Sequence, residues 1–403
     1  EGLTGAATIS TLIIERDAKI DAQGTQLQPI KFSCSLAEGS KTKGCWGGLL
    51  IAGNSTLNSS QGATLTSPII PGRTTAGGCF ELVMEGSLGT AAETRFGGCN
   101  PTDNSGILRY AIIEFGGFAF AANRELNNLT VGGLGDSTIV EFIQVHAGLD
   151  DGYEIFGGTH NTRNIVITAN SDDGFDFANG WSGNAQFIII QQDSLDADKG
   201  FEIDNTESAA TYNDLPRVNA QVYNVTMIGK ADPAGTGGIS ATNNVEDAFN
   251  VRRGARPDFY NFIMTGFPQI MDLDDPSATC PGAANMNTEL AWVTSTAFSF
   301  TRIDNSDAEA GCAPYVSASI EADWFNDAAN SNTIAATQPL IAPYNVVTPD
   351  FRLVAAAAGT TPPAGGYFDA TANYRGAVPF VGTNGNIPWY SGWTRQWQTA
   401  TTP

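Results

Sequence analysis

Asp150-Asp151-Gly152-Tyr153-Glu154-Ile155 returns 22 residues later as Asp172-Asp173-Gly174-Phe175-Asp176-Phe177. A third variant follows, Asp196-Ala197-Asp198-Lys199-Gly200-Phe201-Glu202-Ile203-Asp204. Carboxylates grouped this way can hold a cation, serve as an acid and base pair, or coat a solvated face. A hard cation such as Ca2+ takes about 6–8 oxygens from carboxylates, amides and backbone carbonyls. The candidate ligands are Asp150, Asp151, Glu154, Asp172, Asp173, Asp176, Asp196, Asp198, Glu202 and Asp204, with Asn170 and Asn179 beside them. Their spacing fits neither an EF-hand loop nor the nonapeptide calcium repeat, so the expectation of Ca2+ rests on stacking of the repeats. The plainer alternative is a solvated acidic face whose Asp-Gly pairs are chosen for turn conformation.

Catalysis is the weaker expectation, and no catalytic residue is assigned. Acid-base work on a polysaccharide would draw on Asp151, Asp173, Asp176, Asp198, Lys199 and Arg163. A groove this negative repels a polyuronate unless a cation bridges the two. A neutral glycan would need stacking platforms, for which Trp181 and Tyr153 are the candidates, although both suit a core as well. His146 and His160 lie 14 residues apart with no third ligand to complete a zinc site, and read as hydrogen-bonded corner residues. No G-x-S-x-G elbow is present, and the glycine-rich 235–238 stretch lacks the lysine of a phosphate loop. The N-x-S/T sequons at Asn54, Asn58, Asn128 and Asn224 matter only in a glycosylating host.

The elements that would position these acids repeat with them. Residues 143–158, 165–180 and 188–205 each run as an apolar strand, a polar corner and an alternating strand, with glycines at 152, 174 and 200. Units of 20-odd residues without helical periodicity predict an all-β fold, a right-handed parallel β-helix (solenoid) with loop insertions. A sandwich would instead show Asn-Gly hairpins between neighbouring strands. Alternation points Tyr153, Ile155, Phe175, Phe177, Phe201 and Ile203 inward and Glu154, Asp176 and Glu202 outward. Asp150/Asp151, Asp172/Asp173 and Asp196/Asp198 would form a second column at the corner. Like charges stacked at about 5 Å repel by about 1 kcal/mol even in water, which calls for a counter-ion.

Weaker echoes of the unit occur at 248–251 and 270–273, and upstream at 107–117 and 126–133. Residues 10–32 read as the opening coil and 45–54 as the next. The β-helix is expected over 1–276, with a disulfide-stapled insert at about 55–105 and an inserted loop at 230–246. Residues 277–403 lose the period, hold Trp292, Trp324, Trp389, Trp393 and Trp397, and read as an irregular C-terminal cap or small subdomain.

The formal charge of −22 disfavours nucleic acid and anionic membranes, and no apolar run is long enough to span a bilayer. Cys34/Cys45, Cys79/Cys99 and Cys280/Cys312 are sequence-local pairs without metal-ligand spacing, so they are expected as disulfides of an exported protein. A start at Glu1 fits a processed chain. Leu12, Ile13 and Ile14 form an apolar strand able to add to a neighbouring copy, which predicts self-association into a homopolymer or surface assembly; polysaccharide is the other partner to weigh.

The order of "CWGGLLIAGNSTLN", "DNSGILRYAIIEFGGF", "DDGYEIFGG", "NSDDGFDFANGW", "DKGFEIDN" and the closing "YRGAV…WYSGWT" resembles a family of secreted bacterial surface proteins and lipoproteins. The resemblance implies a right-handed parallel β-helix and export, and carries no assigned catalytic residues. No N-terminal lipobox cysteine is present, which speaks against a lipid anchor. Together these readings give an extracellular, non-catalytic, calcium-stabilised structural or surface protein, with a polysaccharide-binding or polysaccharide-cleaving β-helix as the alternative.

Overall fold

The computed structural model describes residues 9–58, 80–84, 94–121, 124–193, 196–229, 247–274, 290–298, 300, 302–303, 320–380 and 387–395. Coil after coil, the chain alternates between two parallel sheets, giving the right-handed parallel β-helix. The first sheet stacks Leu12–Ile14, Leu49–Ala52, Leu129–Leu134, Tyr153–Gly158, Phe175–Ala178, Phe201–Asp204, Asp247–Arg252 and Gln269–Leu273. The main path of the second runs through Ile20–Gln23, Gly106–Glu114, Ile139–His146, Asn161–Thr168, Asn184–Gln191, Gln221–Ile228, Asp258–Thr265, Thr296–Phe298 and Thr333–Ile334.

Alternation builds the core. Leu129, Tyr153, Phe175, Phe201, Phe249 and Met271 are register partners along the first sheet, and each is fully buried. Tyr153 stacks on Phe175 at 5.2 Å and Phe175 meets Phe201 edge-on at 5.3 Å, so each coil seats its ring on the one before. The repeated glycine has a different cause from the turn conformation expected of Asp-Gly. Neither Gly152 nor Gly174 lies at positive φ. A Cβ on Gly152 would sit 2.7 Å from Gly174 O, and one on Gly174 would sit 2.8 Å from Gly200 O. Close approach of successive coils is what excludes a side chain there.

The second sheet bends along a column of left-handed residues, with Tyr110 at φ 46°, Phe142 at 56°, Asn164 at 58°, Phe187 at 61°, Asn224 at 57° and Asn261 at 65°. Residues 340–380 and 387–395 run back along this outer face. Leu340, Phe351, Leu353, Val378, Tyr390 and Trp393 pack there on Val166, Ile189, Ile228 and Ile263. Asn224 Nδ2 donates to Tyr374 O at 2.6 Å, and Asn261 Nδ2 to Thr360 O at 2.8 Å. The ladder itself continues past residue 276, and the helix Ile320–Asn326 closes the core by setting Trp324 and Phe325 against Trp292.

Cys34 and Cys45 form a disulfide, and Cys99 is disulfide-bonded. Cys79, Cys280 and Cys312 lie outside the described residues, as does the 230–246 insert. Within the 55–105 insert, the hairpin Leu82–Val83/Arg95–Phe96 lays Phe96 on the outer face of the first sheet near Leu50 and Phe156. Leu12, Ile13 and Ile14 pair with Leu49, Leu50 and Ile51 as the first rung of that sheet. Among the described residues no helix is long and apolar enough to cross a membrane.

Candidate cation site on the acidic face

The outward column of the first sheet reads Thr130, Glu154, Asp176, Glu202, Asn250 and Asp272, each the register partner of the next. The expected Glu154–Asp176–Glu202 ladder therefore exists. Beside it runs the corner column, tied together by its own side chains. Asp151 N–H donates to Asn127 Oδ1 at 3.1 Å, Asp173 N–H to Asp151 Oδ1 at 2.9 Å, and Lys199 N–H to Asp173 Oδ1 at 2.6 Å. Each acid thus accepts a backbone donor from the next coil, which explains why a short carboxylate recurs at this position.

Stacking the columns side by side concentrates oxygen. Carboxylate oxygens of Asp151, Glu154 and Asp176 lie within 4.8 Å of one another, as do those of Asp173, Asp176 and Glu202. Asp176 belongs to both groups, and its Oδ1 is buried without a hydrogen-bond partner. Two further groups, Asp150/Asp151/Asp172 and Asp172/Asp173/Asp198, extend the strip around the corner. The strip floors a groove of about 410 Å³. Burial, then the charge of Asp173, pushes the Asp151 carboxyl well above its ordinary range. Burial and Glu202 do the same to Asp173 and Asp176.

Among the described residues, the cations that touch the outward column gather at its Glu202–Asp204 end. Arg252 reaches Glu202 at 2.5 Å and Asp204 at 2.7 Å, and Arg253 reaches Asp204 at 2.7 Å. Lys199 pairs with Asp198 at 2.6 Å and Glu202 at 3.2 Å. Asp204 is therefore an ion-pair residue outside the oxygen groups. Asp196 also departs from the expected set: Lys43 draws it away at 3.4 Å, and Lys199 fills the third corner position instead. Arg163 is not a neighbour of the groove, because it sits on the second sheet, bound to Glu141 and stacked over Tyr367. Trp181 and Tyr153 are fully buried, which removes both as glycan platforms. His146 and His160 do not meet: one bonds Thr168, the other Tyr153.

Asn127, Arg252, Arg253 and the buried Asp247 were not anticipated from the sequence. The echo at 248–251 carried the only signal, since "FNVRR" aligns with "FEID" and sets Arg252 opposite Asp204. The donor set is carboxylate and amide oxygen, without sulfur or imidazole, which suits a hard cation over Zn2+. Residues 3–342 match the family described as the pectate-lyase-like beta helix domain. The chain belongs to this family. No curated protein and no solved structure matches it. In this pectate-lyase-like β-helix the acidic strip lies across three consecutive coils of the first sheet.

Proposed function

We propose that the protein is an extracellular, non-catalytic surface β-helix that binds a cation of the calcium class in its acidic strip. The observation that carries this is the pair of oxygen groups sharing Asp176. Buried acids this close must take up protons or a counter-ion, and Ca2+ accepts an irregular set of oxygens. The neighbouring bases suit catalysis poorly. Burial works against the Lys199 charge, yet Asp173, Glu202 and Asp198 outweigh it and keep the amine protonated. Arg252 is likewise held as a cation by Asp204 and Glu202 against its burial. The disulfide Cys34–Cys45 supports an oxidising compartment.

Titration of CaCl2 into chelator-stripped protein should give saturable heat that Asp151→Asn with Asp176→Asn abolishes. Absence of saturable uptake at millimolar calcium would end the proposal. Self-association belongs to the same reading: Leu12–Ile14 is an edge strand with one partner strand among the described residues, and such an edge accepts another strand. Negative-stain imaging of wild type and Ile13→Lys tests it; dispersed wild-type monomers under every calcium condition would remove it.

The family match favours a second reading, in which a bound cation bridges the strip to an acidic polysaccharide that is held or cleaved. Incubation with a polyuronate panel distinguishes the two, since new unsaturated ends would displace the non-catalytic assignment.

A further inference from the structure

The outer face of the second sheet holds a different constellation, independent of the acidic strip. Glu114, His146, Thr168 and Gln191 are successive register partners, and Gln144 lies diagonally from Thr168. Thr168 is fully buried, Gln144 is 1% exposed and His146 is 4% exposed. With its proton on Nε2, His146 accepts the Thr168 hydroxyl at Nδ1 over 2.8 Å, a shorter contact than the 3.3 Å to the Val145 carbonyl that competes for the same proton. Gln144 Nε2 donates to the same Oγ1 at 3.3 Å, which brings the side-chain amide against the hydroxyl. Its carbonyl is already polarised, because Gln144 Oε1 accepts the Arg395 backbone N–H at 2.6 Å. A nucleophile, a base, an acyl group and an oxyanion donor are thus assembled among nearly fully buried side chains, beside a cavity of about 460 Å³ that Gln144 and Arg395 line.

We propose that Thr168 and Gln144 form an intramolecular ester cross-link by self-catalysed acyl transfer. The Thr168 hydroxyl passes its proton to His146 Nδ1 while Oγ1 attacks Gln144 Cδ. The resulting oxyanion on Oε1 is held by the Arg395 N–H. Collapse breaks the C–N bond, and the leaving nitrogen takes the proton back from His146, so ammonia departs and the imidazole is restored. One C–O bond forms, one C–N bond breaks, and no oxidant or co-reactant enters. Burial, reinforced by Arg395, lowers the His146 pKa to about 3, so the ring is neutral and able to accept a proton at physiological pH. So weak a base makes a slow step, which suffices for a link formed once per chain. Escape and dilution of ammonia draw the reaction forward, and burial protects the ester from hydrolysis. The product would staple two consecutive coils.

The test is the intact mass of the full chain, denatured and reduced after prolonged incubation at neutral pH. Wild type should fall below its sequence mass by one ammonia, about 17 Da, and Thr168→Val, an isosteric change, should restore the full mass. Peptide mapping should find residues 144 and 168 joined by a bond that hydroxylamine cleaves. An unchanged wild-type mass overturns the proposal. So does a deficit that survives Thr168→Val, as a succinimide elsewhere would give, or a link mapped to Gln191.

Discussion

Asp176→Asn should change stability in opposite directions with and without calcium. Asp176 shares its surroundings with Asp151, Glu154, Asp173 and Glu202, with carboxylate oxygens within 4.8 Å in each group. A like-charge pair at that distance is worth about 0.9 kcal/mol in water and about 3.5 kcal/mol at an effective dielectric of ~20. If Asp176 takes up a proton instead, folding carries the penalty of binding it, so the sign is the same. The amide is isosteric and uncharged, so in chelator the variant should be the more stable protein by about 1–3.5 kcal/mol. An unfolding entropy of about 2.1 cal/mol/K per residue makes this a rise in Tm of roughly 1–4 °C. With calcium at about 100 times Kd, binding stabilises wild type by about 2.7 kcal/mol. The variant loses a ligand common to both oxygen groups and should forgo most of that gain. Differential scanning fluorimetry in chelator and in calcium reads both arms. An equal shift of the same sign in the two buffers would mean that Asp176 serves no cation, and a wild-type Tm indifferent to calcium would refute the reasoning at its base.

Asp247 offers a test in proton currency. Burial and the neighbouring Asp272 raise its pKa from 3.8 to about 8. A raised carboxyl contributes stability that is complete below pH 3.8 and is lost as pH climbs towards 8. In metal-free buffer the loss attributable to Asp247 by pH 7 is at most about 4 kcal/mol, and Asp247→Asn should flatten urea midpoints measured from pH 4 to 8. Gly174→Ala should destabilise by roughly 1–3 kcal/mol, because its Cβ meets the next coil's backbone at Gly200 O and the fully packed Ile190 side chain; an unchanged melting curve would refute that cause. Trp393, packed on Tyr110 and Phe142, should cost about 3–5 kcal/mol when truncated to Ala. Limited proteolysis should then cut within 340–395 before the coils.

The inward rings and the Glu154–Asp176–Glu202 column were legible because both depend on strict alternation within a unit that recurs nearly unchanged. The third corner was misread for a related reason. Its spacing is 26 residues instead of 22, and the extra length carries Asp196 out to Lys43 while Lys199 takes the vacated position. Arg252 was hidden by the 230–246 insert, which separates it by 48 residues from the Asp204 it faces. The bend of the second sheet had no signature, since left-handed φ at Tyr110, Phe142 and Phe187 is unusual for aromatic residues. Residues 340–395 were equally opaque: their apolar positions answer to the face they cover and not to any period of their own.

The two outer faces place opposing demands on the solenoid. In a stack of coils each unit leans only on its neighbours, so stability is close to a sum of interfaces. Charge repulsion on the first sheet therefore weakens chiefly the interfaces of the 150–204 segment, with a smaller contribution where Asp247 faces Asp272. The returning segment acts over a longer reach. It grips Asn261 and Thr294 through Thr360, Asn224 through Tyr374, Gln186 through Asp369 and Gln144 through Arg395, and it meets Gln26 through Ser391. A clamp crossing that many coils couples otherwise local units. Loss of a cation should thus loosen the acidic coils on one face while the opposite face holds them in register, so the chelated protein should swell locally rather than unzip.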